Sequence, residues 1–408
     1  MIQEFQVSNF YSIRDPQTIS FIPATDNRML SDYTYQVRPG FKLLKLGIVY
    51  GSNASGKTTI LKALDFFRAL MVNRPSDKKS GIDYMPFMLD QTSREELTKM
   101  KMVFYINEVK YILTVEFSPK CIFSEELVVY LTSRPTLLYN RTYSTATNHT
   151  KIVFGSKAGV SRKSQKAIEG ATINNCSVLA AVGQSNIEDS MLTKVSDYFS
   201  TQMLEMITPR LDILSYVKKV IKNDEEGKIK RFVLQILRAS DFNITDLKLD
   251  EGNGLVPTDD LIFQHRGPNG NFELPEMVES AGTKRFLGMG IILSDLLTRN
   301  CFMSIDEIEN SIHYELLSYF IKMFIANSEG SSQLLMTTHD LNLLDEDFVR
   351  RDVVWFADKD SDGVTSIKRL SNLGLHKTLS PYNAYRQGKL VPLPFLESIY
   401  LPLQSDGE

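Results

Sequence analysis

Stretches of this chain that alternate apolar and polar residues give way to stretches with helical spacing, and the switches between them mark out the elements. Ile2–Ser8 and Gln17–Ile22 alternate, predicting strands of an antiparallel edge. Leu46-Gly47-Ile48-Val49-Tyr50 is a short unbroken apolar run, the pattern of a strand buried on both faces, and Thr59–Leu70 behind it is spaced as a helix. Lys101–Phe117 and Leu127–Tyr139, rich in Val, Ile, Tyr and Phe, predict a β-meander. From Glu188 to Leu237 the spacing turns helical, with Met191, Val195, Phe199, Met203 and Met206 on one face. A second helix pair is predicted around the turn Asn223–Gly227, and the lack of a sustained heptad run predicts a compact helical arm. In the last third, Phe286–Thr298 and His313–Ala326 read as helices and Cys301–Ile305 and Gln333–Met336 as buried strands. Val353–Phe356 and Val364–Leu370 read as a hairpin turning at Asp362-Gly363, which favours a turn over a metal motif for Asp358, Asp360 and Asp362.

This order predicts an α/β fold in three parts. Residues 1–140 form a first lobe with the β-meander, 141–250 a mainly helical insertion, and 251–408 a second lobe. At 408 residues, one large domain with an insertion, or two domains, is expected. Apolar residues at 43% and charged residues at 23% describe an ordinary folded protein. The most apolar stretch, Phe286–Leu297, is broken by Gly288, Gly290, Ser294 and Asp295, and Met1–Phe10 lacks the pattern of a signal peptide. A cytoplasmic protein with no membrane partner is expected. Three widely separated cysteines imply neither a disulfide framework nor a zinc site, and a net charge of −3 exerts no global pull on nucleic acid.

The junction between the first buried strand and its helix carries the clearest chemistry. Gly51-Ser52-Asn53-Ala54-Ser55-Gly56-Lys57-Thr58 fits G-x-x-x-x-G-K-[ST], with Thr59 continuing into the helix. The glycines let successive N–H groups turn inward on a β-phosphate, Lys57 reaches the β/γ oxygens, and the Thr58 hydroxyl is a ligand for Mg²⁺. Asp306 and Glu307 end the Cys301–Ile305 strand, where open α/β sheets hold their ligands. Asp306 suits the metal and Glu307 the attacking water, although acidic residues also favour a helix's first turn. His339, at the end of the next strand, is a candidate for stabilising transition-state charge. Glu279-Ser280-Ala281-Gly282-Thr283-Lys284-Arg285 opens the helix before the Asp306 strand; its Ser-x-Gly is an anion-binding device or an ordinary N-cap.

The order phosphate loop, insertion, Ser-x-Gly, Asp-Glu strand and strand-end histidine resembles the ABC-type ATPase head. Ser280 and Asp306 are 26 positions apart, and Asp306 and His339 are 33 apart. The opening Val7–Ile13, the phosphate loop, Leu234–Leu249, "ESAGTKR" and "DEIENSIH" together resemble stand-alone ABC/SMC-like ATPases of bacterial anti-phage defence operons, the type that includes the AriA-like subunit of the PARIS system. The resemblance implies ATP as nucleotide with Mg²⁺, and a nucleotide-sandwiched homodimer or a higher assembly of dimers. In that dimer Ser280 and Gly282 would close in trans on the partner's nucleotide. It further implies a sensor and scaffold role beside a separate toxic effector, a nuclease encoded nearby, with a phage protein as trigger. Tyr11 stands where many SMC-like heads carry a basic residue, with Arg14 as a substitute, and Gln91 is a candidate Q-loop residue. The alternative is a RecF/SMC-like DNA-repair or DNA-binding ATPase. Lys218, Lys219, Lys222, Lys228, Lys230 and Arg231 suit either a plain solvated helix face or a contact surface for nucleic acid or an acidic partner.

Overall fold

The computed structural model describes residues 1–240, 242–250, 260–376 and 378–391. The N-terminal region forms β1 (Ile2–Ser8), β2 (Gln17–Ser20), the hairpin β3 (Thr34–Arg38) and β4 (Phe41–Leu44), and β5 (Leu46–Tyr50), followed by helix Lys57–Val72. The meander comprises β6 (Thr98–Ile106), β7 (Val109–Phe117), β8 (Ile122–Tyr130), β9 (Thr136–Ser144) and β10 (His149–Phe154). After a helical stretch come β11 (Ile244–Leu249), β12 (Leu261–Gly267) and β13 (Gly270–Pro275), then helix Ala281–Thr298. The chain continues through β14 (Phe302–Ile305), helix Tyr314–Asn327, β15 (Gln333–Thr337), β16 (Val354–Lys359) and β17 (Thr365–Arg369).

Two large sheets enclose the central helix. One is antiparallel, in the order β10-β9-β8-β7-β6-β1-β2; the other runs β14-β15-β5-β16-β17 and is parallel except at its last pair. Helix Lys57–Val72 buries Ile60, Leu61, Leu64, Phe67, Leu70 and Met71. Phe67 meets Phe5 of β1 edge-on at 5.6 Å and Phe199 at 5.8 Å, so the helix is clamped on two sides. Each such side chain contributes about 1.5–3 kcal/mol by leaving water. Gln333 ties the sheets together at one end: its amide donates to the carbonyls of Ile2 and Leu44, and its oxygen accepts the Ile2 N–H. The architecture agrees with the expected α/β class, with an antiparallel β subdomain and a helical insertion.

Three expectations change in detail. The antiparallel sheet does not end at residue 140: β9 crosses that boundary, and β10 pairs with β9 from His149 to Phe154. Arg141, in the part read as insertion, is fully buried and donates to the carbonyls of Ile122, Ile173 and Asn174. The expected boundary between residues 250 and 251 falls at the edge of the described residues. Second, Met203 and Met206 are not helical. Helix Met191–Asp197 ends in a wider π turn over Tyr198–Gln202, and the chain then extends along β14. Leu204 N–H donates to Phe302 O and Ile207 N–H to Ser304 O, while Asp306 N–H donates to Ile207 O. Satisfying that open sheet edge outweighs local helical spacing. Third, helices Ile213–Lys222 and Lys228–Ala239 do not project as an arm but pack on helix Ala281–Thr298. A Cβ on Gly288 would lie 2.0 Å from Ile213 Cγ1, and one on Gly290 would lie 3.2 Å from Val233 Cγ1. The bare backbone of those glycines is what lets the helices approach.

Candidate nucleotide-binding site

The loop after β5 owes its shape to two glycines. Gly51 has φ 155° and Gly56 φ 99°. A Cβ on Gly51 would stand 2.4 Å from Ala357 O, and one on Gly56 would stand 2.2 Å from Thr365 Oγ1. No side chain caps the helix that starts at Lys57, which leaves its N-terminal N–H groups for an anion. Lys57 Nζ donates to the carbonyls of Gly51 (2.8 Å) and Ser52 (2.9 Å). Burial pushes its pKa below the usual lysine value, against the opposing pull of Asp306, Glu307 and Glu309. Ser55 Oγ is buried without a partner, an orphaned hydroxyl inside the cradle that suits a phosphate oxygen.

Opposite the loop, the ends of β14 and β15 deliver the acidic groups. Thr58 Oγ1 donates to Asp306 Oδ1 at 3.1 Å across 248 positions of sequence. Thr337 Oγ1, at the end of β15, donates to the same oxygen at 2.7 Å and accepts the Glu307 N–H at 2.8 Å. Glu307 is thereby held at φ 46°, a left-handed conformation uncommon outside glycine. His339 Nε2 lies 3.9 Å from Glu307 Oε1, and the His339 N–H donates to Glu309 Oε1 at 2.6 Å. Burial and then the Lys57 charge push the His339 pKa below its ordinary value, against the pull of three carboxylates.

Asn53–Thr59, Glu307, His339 and Lys359 line a cleft of about 200 Å³. Small-molecule sites usually measure about 300–1,000 Å³, so this cleft suits the phosphates rather than a whole nucleotide. A larger hollow of about 670 Å³, bounded in part by Asp26, Arg28, Asp345 and Ser380, contains none of these groups.

The structure therefore brings the phosphate loop, Asp306, Glu307 and His339 together. Ser280 and Gly282 do not line the cleft of their own chain. Ser280 caps helix Ala281–Thr298, its hydroxyl accepting the Thr283 N–H at 3.0 Å, and it stands exposed. Gln91 lies exposed in the short helix Gln91–Glu95 and lines no part of the cleft, and Arg14 is paired with Asp15 at 3.0 Å. Asp360 supports the β16–β17 turn by accepting the N–H groups of Asp362 and Val364.

Several supporting residues escaped the sequence reading. Thr337 and Glu309 sit within or beside the runs that carry His339 and Glu307, so proximity in sequence was a usable signal. Ser12 and Thr365 gave none. Thr365 Oγ1 donates to Ser55 O at 3.1 Å and shares a 2.9 Å contact with Ser12 Oγ, which reaches Thr59 Oγ1 at 3.1 Å. These hydroxyls brace the back of the loop.

No curated protein matches the chain. Among solved structures, the SMC head domain from Thermotoga maritima is similar over 90% of this chain and 98% of that one, at 11% identity and a TM-score of 0.44. The Smc head bound to the C-winged helix domain of ScpA is similar over the same shares, at 14% identity and a TM-score of 0.43. One family model, described as "AAA domain, putative AbiEii toxin, Type IV TA system", matches residues 48–170 and 188–345. Those two stretches cover well over half of the chain and include every residue of the cleft except Lys359, and on that match the chain belongs to this AAA-domain family.

Proposed function

We propose that this chain binds ATP with Mg²⁺ and hydrolyses it in a nucleotide-sandwiched dimer, as the sensor and scaffold subunit of an anti-phage defence complex that holds a separate toxic effector, a nuclease. One observation carries the ATPase part: Lys57, Thr58, Glu307 and His339 line a phosphate-sized cleft, with Asp306 held against Thr58, and Ser280 and Gly282 do not line it. The resemblance to ABC-type heads supports the reading that a second copy brings Ser280 and Gly282 to this cleft.

The donor set fits the metal. Thr58 Oγ1 and Asp306 Oδ1 are hard oxygens already in contact, and among the described residues no group of three or more His, Cys, Asp or Glu forms a cage. Mg²⁺ takes few protein ligands and shares the rest with phosphates and water. When bound it would neutralise charge on the β- and γ-phosphates. Lys57 leaves its loop carbonyls for a phosphate oxygen. Glu307 accepts the proton of a water whose oxygen bonds to the γ-phosphorus as the bond to the bridging oxygen breaks, releasing ADP and phosphate. His339 hydrogen-bonds the γ-phosphate oxygens through its ring N–H.

The defence setting is supported by the resemblance of the motifs and by the family description, which names a toxin of a type IV toxin–antitoxin system. The DNA-repair alternative gains little support from the helical hairpin. Lys218 is paired with Asp260 and Glu276, Lys228 with Glu226, and Lys230 with Asp246, so much of its positive charge is already neutralised.

Glu307→Gln tests the chemistry: it should retain ATP binding and lower turnover by about 10²-fold or more. Unchanged turnover would remove Glu307 from the base role. Purification with the neighbouring gene product, with and without ATP and Mg²⁺, tests the setting. An ATP-dependent complex with a nuclease supports it, whereas a lone dimer stimulated by DNA favours the repair reading.

A further inference from the structure

The end of β15 is held to its surroundings residue by residue. The Thr338 N–H donates to Val49 O of β5 at 3.2 Å, and the Asp340 N–H donates to the Thr338 hydroxyl at 3.0 Å. The N–H between them, that of His339, donates instead to a side chain, Glu309 Oε1, at 2.6 Å. Glu309 stands on the turn that follows β14, so this bond alone ties the His339 backbone to that turn. A carboxylate accepting an N–H makes one of the stronger hydrogen bonds of a protein, about twice a neutral one.

The turn itself is built without that side chain. The Ile308 N–H donates to Thr337 O at 3.2 Å, the Asn310 N–H to Glu307 O at 2.9 Å, and the Ile312 N–H to the main-chain oxygen of Glu309 at 3.0 Å. The second carboxylate oxygen of Glu309, Oε2, is buried and has no hydrogen-bond partner among the described residues. Burying an oxygen without a donor works against folding, so the carboxylate is a poor staple for its own turn. What it does hold is His339.

That residue depends on such a hold. His339 and Glu307 both line the phosphate-sized cleft, His339 Nε2 lies 3.9 Å from Glu307 Oε1, and the two side chains are 35% and 47% exposed. Side chains that open are not fixed by packing, and their placement follows the backbone that carries them. We propose that Glu309 is a positioning residue for His339: by fixing the N–H at the end of β15, it sets the imidazole beside Glu307 and over the phosphate cleft. The proposal rests on the ATPase reading above and deepens it, and it gives Glu309 no contact with the nucleotide.

The Glu309 charge is also felt by Lys57 and by the His339 ring, so the test separates bond from charge and ring from backbone. Single-turnover ATP hydrolysis, with the full chain in excess and Mg²⁺ present, is measured in two backgrounds, native and His339→Ala. Alanine at 339 keeps the N–H and deletes the ring. In the native background Glu309→Ala should slow hydrolysis about tenfold, with the ATP dissociation constant from calorimetry unchanged. Glu309→Gln removes the charge but keeps an oxygen for the N–H, and should recover the rate to within about threefold of wild type. In the His339→Ala background both substitutions should change the rate by less than about twofold, because the ring they position is gone. Equal loss in the two backgrounds, or weakened ATP binding, makes Glu309 a structural residue and overturns the proposal. A glutamine variant as slow as the alanine variant assigns the effect to charge and overturns it too. No loss from Glu309→Ala overturns it while the ATPase reading stands. If His339→Ala hydrolyses as fast as wild type, or wild type does not hydrolyse ATP, the reading of the cleft fails and the proposal fails with it.

Discussion

Thr337→Val isolates the link that joins the metal-side carboxylate to the water-side carboxylate. Thr337 is fully buried, its hydroxyl proton goes to Asp306 Oδ1 at 2.7 Å, and its oxygen accepts the Glu307 N–H at 2.8 Å. Valine has nearly the same shape, so packing is conserved while both bonds vanish. A hydrogen bond to a charged group is worth about 1.5–3 kcal/mol, and an unsatisfied buried N–H costs about 1–3 kcal/mol. Glu307 is partly exposed and water can reach it, so the sum should fall near 2–4 kcal/mol. Thr337→Ser keeps the hydroxyl and loses one methyl, a cost of about 1 kcal/mol. Urea unfolding of the nucleotide-free chain measures both, by comparing midpoints and slopes. Glu307 also loses the anchor that holds it at φ 46°, and misplacement by about 1 Å can cost 10²-fold in rate. Turnover should therefore fall at least tenfold in the valine variant and stay near wild type in the serine variant. Equal behaviour of the two variants, or a valine variant within about 0.5 kcal/mol of wild type, would refute the linkage.

Gly288→Ala should destabilise the chain by about 1–3 kcal/mol through overpacking against Ile213, with Ile213→Ala as a partial suppressor; unchanged melting would mean the helical hairpin is not seated on helix Ala281–Thr298 as described. His339 gives a pH dependence. Its folded pKa lies below the ordinary 6.5, so the unfolded chain binds more protons between the two values. Stability of the nucleotide-free chain should therefore decline as pH falls through 6.5 and level off below the folded pKa, and His339→Asn should remove that slope. Negative phosphates in the cleft raise the same pKa, so ATP binding near pH 6 should take up a proton; a binding enthalpy identical in buffers of different ionisation heat would contradict this.

Local pattern made much of the site legible. The loop from Gly51 to Thr58 could be read because strand, glycines, lysine and helix are contiguous and each follows from a rule of neighbours. Asp306, Glu307 and His339 could be read because strand ends carry the ligand-facing groups of a parallel sheet. The same reasoning misassigned Met203 and Met206. Their helical spacing is real, but the unpaired edge of β14 lies about a hundred positions away, and its N–H and C=O groups took that segment into an extended conformation.

The sequence by itself determined the elements and their chemistry, since hydrophobic period and motif are properties of adjacent residues. Tertiary structure alone decided the rest. The strand order β14-β15-β5 sets Thr337 between Asp306 and Glu307; the Ser12–Thr365 contact braces the loop from two ends of the chain; and the turn after β14 brings Glu309 to the His339 N–H. Such features depend on which distant groups a closed core leaves adjacent, and no local pattern encodes that adjacency.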